Sequence, residues 1–165
     1  MHRVAALIST MVALSPLIAM ASEEDCIHLA YLRPHPPAVV ETEERQLFDD
    51  VNATRARRRL PPLEQDPTLD GFALQVAEDM AERRYFGHTD PQGHTFQDRL
   101  RRARLDYRYA AENMAYDQDE QSANSAFLHS PGHYQNIVDP QKRRLGIAVV
   151  AAGDGEVFYV EEFTD

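Results

Sequence analysis

Cysteine is nearly absent. Cys26 is the only one in 165 residues, so no disulfide can form within the chain. Small secreted domains commonly rely on such cross-links; stability here has to come from core burial, which about 120 folded residues can supply. Lysine is almost as scarce, because sixteen of the seventeen basic residues are arginine. A surplus of positive charge is missing too: 27 acidic residues outweigh 17 basic ones, for a formal charge of -10. Such a surface excludes nucleic acid and anionic lipid as general partners, since both need clustered cations. The local runs Arg55 with Arg57-Arg58-Arg59 and Arg99 with Arg101-Arg102-Arg104 read as solvated helix faces. No internal repeat is visible. There is no H-E-x-x-H metalloprotease helix and no G-x-S-x-G nucleophile turn.

One long apolar run is present, from Val4 to Met20. It follows Met1-His2-Arg3 and ends in Ala19-Met20-Ala21, which together make the three parts of a secretory signal peptide. A membrane anchor is the competing reading. Ser9, Thr10, Ser15 and Pro16 lower its hydrophobicity, and the A-x-A site fits cleavage after Ala21. Residues 1–21 are therefore expected to be a signal peptide, leaving a secreted or periplasmic chain without a stable membrane span. Cleavage removes Arg3 and leaves a formal charge of -11. Glu23-Glu24-Asp25 before Cys26 argues against lipoprotein attachment.

Residues 22–41 hold Arg33-Pro34-His35-Pro36-Pro37, where proline lacks an amide donor and turns its neighbours away from helix. That stretch reads as a flexible leader, followed by one domain over 42–165. Leu47, Phe48, Val51 and Thr54-Arg55 follow helical spacing. Leu69, Phe72, Ala73, Val76, Ala77 and Met80 form the stripe of a second helix, with Thr68 to cap it and Gly87 to close it. Thr95 and Asp98 fit the capping box of a third. Leu145–Ala152 and Val157–Phe163 are apolar on both alternate faces, as strands covered on both sides are. Gly153-Asp154-Gly155 between them signals a hairpin. Tyr107–Met114 is a third strand candidate. The class expected is α+β, a three-layer α-β-α sandwich around a small antiparallel sheet.

Three segments carry candidate chemistry. His88 lies between a helix end and the turn Asp90-Pro91-Gln92-Gly93, a placement that orients an imidazole or merely bonds a loop carbonyl. Glu112 sits among small and apolar residues, where burying a carboxylate is costly unless it is paired. Ser130-Pro131 opens a helix that carries His133 in its first turn, with the serine oxygen available as a cap. Pro131 and Gly132 keep His129 and His133 off one helical face. His94, past the turn, is expected to be exposed.

These segments, Phe86 to Gly93, Ala111-Glu112-Asn113, Ser130-Pro131-Gly132-His133 with Asn136-Ile137, and Leu145-Gly146-Ile147-Ala148, occur in an order that resembles the bacterial members of the CAP superfamily, the SCP-domain secreted proteins. The resemblance covers about residues 44–163. It implies a shared cleft in which His88, Glu112 and His133 converge. Many eukaryotic members add a second glutamate before the last histidine, near where Ala126 and Phe127 stand here. Glu162 replaces part of the Thr-Gln usual in bacterial relatives and offers a substitute carboxylate.

Two imidazoles and a carboxylate suit a divalent metal, zinc foremost, with His88, His133 and Glu112 as ligands. They equally suit a metal-free acid/base set. Three functions follow: a binding module for a lipid, glycan or envelope-derived ligand, a metal-assisted hydrolase of peptide or cell-wall material, or a scaffold with a buried polar network. The absence of an evident activated nucleophile favours the first.

Overall fold

The structure, a computed structural model, describes residues 37–152 and 155–165, with side chains from residue 40 onward. The expected signal peptide, Cys26 and most of the leader lie outside the described residues. Helix α1 (Pro37–Arg57) starts inside the stretch read as leader, since Pro37 opens the first turn, where a missing amide costs nothing. After it come β1 (Glu64–Gln65), α2 (Pro67–Arg83), α3 (Phe96–Ala103), β2 (Ala110–Asp117), α4 (Glu120–His129), α5 (Pro131–Ile137), β3 (Arg144–Ala151) and β4 (Val157–Thr164).

The sheet runs β1-β3-β4-β2, antiparallel except for the two-residue β1 beside β3. Strand β2 is therefore an edge. One apolar layer joins Phe72, Val76 and Met80 of α2 and Leu100 of α3 to Met114, Ala148, Phe158 and Val160. The other joins Leu47 and Val51 of α1, Phe127 of α4 and Ile137 of α5 to Leu145, Ile147, Val149, Tyr159 and Phe163. The three-layer sandwich and the alternation of β3 and β4 stand as expected.

Local details differ. Asp66, not Thr68, caps α2, accepting from the Thr68 amide at 2.8 Å. The same helix ends at Arg84, which takes the left-handed conformation (φ 54°), and Gly87 lies three residues further on. The Thr95/Asp98 capping box is present. Ser130 stands at the start of α5, yet its side chain caps nothing; its carbonyl accepts from the Tyr134 amide at 2.9 Å. Gly146 is required by contact: a Cβ there would sit 2.2 Å from the Leu69 carbonyl carbon, so α2 lies directly on β3.

The basic runs divide. Arg57 to Arg59 and Arg101, Arg102 and Arg104 are exposed as expected. Arg55 is 0% exposed and donates to the carbonyls of Pro61, Ile137, Asp139 and Lys142, tying α1 to the loop before β3. Backbone acceptors spare its charge the full cost of desolvation, which a solvated-face reading could not foresee.

Candidate functional site

The candidate residues lie on both faces of the edge strand. Alternation on β2 sends Glu112 to the α2/α3 side and Asn113 to the α4/α5 side. On the first side, His88 comes from the loop after α2. The turn behind it is held by Asp90, which accepts from the Gln92 and His94 amides and from the His94 ring at 2.7 Å. Those bonds hold the Asp90 carboxyl down at about 2, against an opposing push from burial. His94 is consequently half-buried and bonded, not exposed.

His88 Nδ1 lies 2.8 Å from Glu112 Oε1. The Glu112 carboxylate also accepts from Arg99 Nη2 at 2.9 Å and 2.6 Å, and Arg99 Nη1 donates to the His88 carbonyl at 3.0 Å. Arg99 is thus a clamp on both partners. With the carboxylate acting only as acceptor, Nδ1 of His88 carries the hydrogen and Nε2 is left free for a ligand. The His88 side chain is 55% exposed, that of Glu112 only 1%. The Glu112 bond raises the His88 pKa above its ordinary value, with burial and Arg99 opposing.

Glu162 faces Glu112 across the β2–β4 ladder. It is fully buried; no N–H donor among the described residues reaches its oxygens, and the group within hydrogen-bond reach is the Glu112 carboxylate. Burial first, and the Glu112 charge second, push its pKa well above the carboxylate range, so it stays protonated.

His133 approaches from the opposite face. Asn113 Nδ2 donates to the His133 carbonyl at 3.2 Å and to Glu161 Oε2 at 2.8 Å, and Asn113 Oδ1 accepts from Asn136 at 2.8 Å. The bracket Asn113–Glu161–Asn136 fastens α5 beside the edge strand. The His133 ring stands edge-on to Phe127 at 5.3 Å, and its Nδ1 is buried without a hydrogen-bond partner among the described residues. Burial, then the charge of His88, lower the His133 pKa. Of the two imidazoles, one is tuned toward the cation and the other toward the neutral form.

Among the described residues, no three His, Cys, Asp or Glu side chains are placed to hold a metal ion. Glu112 already spends its oxygens on His88 and Arg99, and a guanidinium repels a second cation. The donor set as arranged does not fit zinc. Arg99, Asn113, Asn136 and Glu161 were not picked out from the sequence as site residues. Asn113 and Asn136 stood inside the quoted motifs, and the only local signal for Arg99 was membership of a basic run.

Residues 48–163 match the CAP family, described as the cysteine-rich secretory protein family. The chain is 30% identical over 118 residues to the uncharacterized protein YkwD of Bacillus subtilis (strain 168), covering 71% of this chain and 46% of that protein. It therefore spans about half the length of that relative. An extracellular SCP-domain protein of Bacillus anthracis str. Ames superposes with TM-score 0.71 at 31% identity, over 80% of this chain and 44% of that one. An outer surface protein of Borrelia burgdorferi superposes with TM-score 0.72 at 21% identity, over 81% of this chain and 97% of that one. The last likeness shows the fold alone.

Proposed function

The chain belongs to the CAP family of cysteine-rich secretory proteins, and from that premise we propose that it is an exported binding module whose edge-strand cleft takes a lipid, glycan or envelope-derived ligand. His88 and His133 present the polar contacts; Glu112 favours the cation of His88, while burial and the charge of His88 favour the neutral form of His133. Export rests on the N-terminal signature and on the 31% identity to a protein described as extracellular. Among the described residues no helix is long and apolar enough to cross a membrane.

The observation that carries this reading is a water-facing imidazole backed by a buried carboxylate, itself clamped by Arg99. An array of this kind is fixed before any ligand arrives, so little ordering is needed on binding. The same bond supports a second reading. A Glu-backed His88 with a free Nε2 is equipped as a general base that activates water for hydrolysis of peptide or cell-wall material, without a metal.

Histidine-labelled protein titrated in NMR with polar-lipid vesicles and with a muropeptide digest tests both. Saturable shifts of the His88 and His133 resonances by one pool, weakened in Glu112→Gln, support binding. Product release lost in His88→Ala supports hydrolysis. No shift with either pool removes the binding reading.

A further inference from the structure

A concave surface lies on the same side of the sheet as Glu112, further along β2. Phe86, Tyr116 and Phe158 meet there, with ring centroids 6.1 Å, 6.3 Å and 4.8 Å apart and planes inclined by 27° to 39°. They border a cavity of about 530 Å³, within the range of small-ligand sites, whose wall also includes Arg84 and Tyr85. Phe158 forms the buried floor. Phe86 is 52% exposed and Tyr116 37% exposed. Clustered exposed aromatics mark binding surfaces, whereas an isolated one needs no explanation.

Charge narrows the occupant. None of the described residues lining the cavity is acidic, in a chain with a formal charge of -10. The nearby Asp79 is already engaged by Arg83 and by the Tyr85 hydroxyl at 2.6 Å. Arg84 makes no side-chain hydrogen bond or ion pair among the described residues. Its backbone is left-handed (φ 54°, ψ 54°), the usual geometry of a helix C-cap, which Arg104 shares at the end of α3.

We propose that this cavity binds an acidic saccharide, with the C–H faces of the sugar on Phe86 and Tyr116 and its carboxylate on Arg84. Sugar C–H groups are slightly positive and aromatic faces negative, so the two stack. Guanidinium matches a carboxylate with paired donors. An acyl chain fits less well, because it would leave apolar surface in water beside rings that are themselves a third to a half exposed. The site is distinct from His88 and Glu112, and it does not depend on what they bind.

Calorimetric titration with tetragalacturonate, with neutral maltotetraose and with decanoate tests the proposal. Wild type should bind the uronate at least about tenfold more tightly than the neutral sugar, the weight of one charge-assisted contact. Arg84→Asn removes the charge and keeps a residue that tolerates the left-handed backbone; it should abolish that preference. Phe86→Ala should weaken both sugars, and circular dichroism should show both variants folded. No uronate binding, no preference over maltotetraose, unchanged binding in Arg84→Asn, or tighter binding of decanoate would each overturn it.

Discussion

Glu112 and Glu162 are opposite one another on β2 and β4, both buried, and Arg99 bonds directly to Glu112 while acting on Glu162 only at a distance. Glu162 is held protonated by burial and by its neighbour's charge. The pair is therefore one carboxylate, bonded to the His88 imidazole, and one neutral acid beside it on the neighbouring strand.

Substituting the two gives unequal results. Glu162→Gln replaces one neutral group by another of the same shape and should change stability by less than about 1 kcal/mol at pH 7. Glu112→Gln strands the Arg99 guanidinium, 12% exposed, without its counter-charge. It should destabilise by roughly 3 kcal/mol, as breaking a buried pair does. Urea midpoints of both variants check this, and equal losses would show that Glu162 is charged.

Stability should fall as pH rises from about 5 to 8. Glu161 is raised from 4.5 to about 8, chiefly by burial, and Glu120 to about 7, by burial and then by Asp50. A folded-state value above the unfolded one means that the native state keeps a proton the unfolded chain has released. The stability this provides is whole below about 4.5 and lost as pH passes the folded values. His88, also raised, adds to the same slope. Melting temperatures across this range should drop less steeply in Glu161→Gln than in wild type.

The contact between Gly146 and Leu69 predicts a strong local effect. Gly146→Ala would force a methyl into α2 backbone at 2.2 Å, so the helix must shift. A loss of about 2–3 kcal/mol is expected from overpacking, read from the urea midpoint. Gly71→Ala, whose Cβ would meet nothing within 4 Å, serves as the comparison and should be neutral or slightly stabilising.

Much of this architecture was legible along the chain, for a local reason. The six-residue stripe of α2 and the two-faced strands β3 and β4 repeat at the period of their own backbone, and all of these α2 residues are buried. The Thr95 capping box likewise needs only four consecutive residues. Strand β1 is two residues long and carries no period. Arg55 and Arg99 were misread because what they bind lies far away in sequence: Arg99 reaches Glu112, 13 residues on, and Arg55 reaches carbonyls 82 to 87 residues on. No spacing rule distinguishes such an arginine from its solvated neighbours. His88 and Glu112 were found through motifs, but the guanidinium that changes what their site can hold was not.

The most direct test of the cleft is a pH titration of its histidines by NMR, in wild type and Glu112→Gln. If His88 is bonded through Nδ1 to Glu112 and His133 is buried within reach of its charge, His88 titrates above 6.5 as the Nδ1–H tautomer and His133 titrates below 6.5. Glu112→Gln should bring His88 down, because the group that favours its cation is gone. Two histidines titrating together near 6.5, and indifferent to Glu112→Gln, would contradict the account.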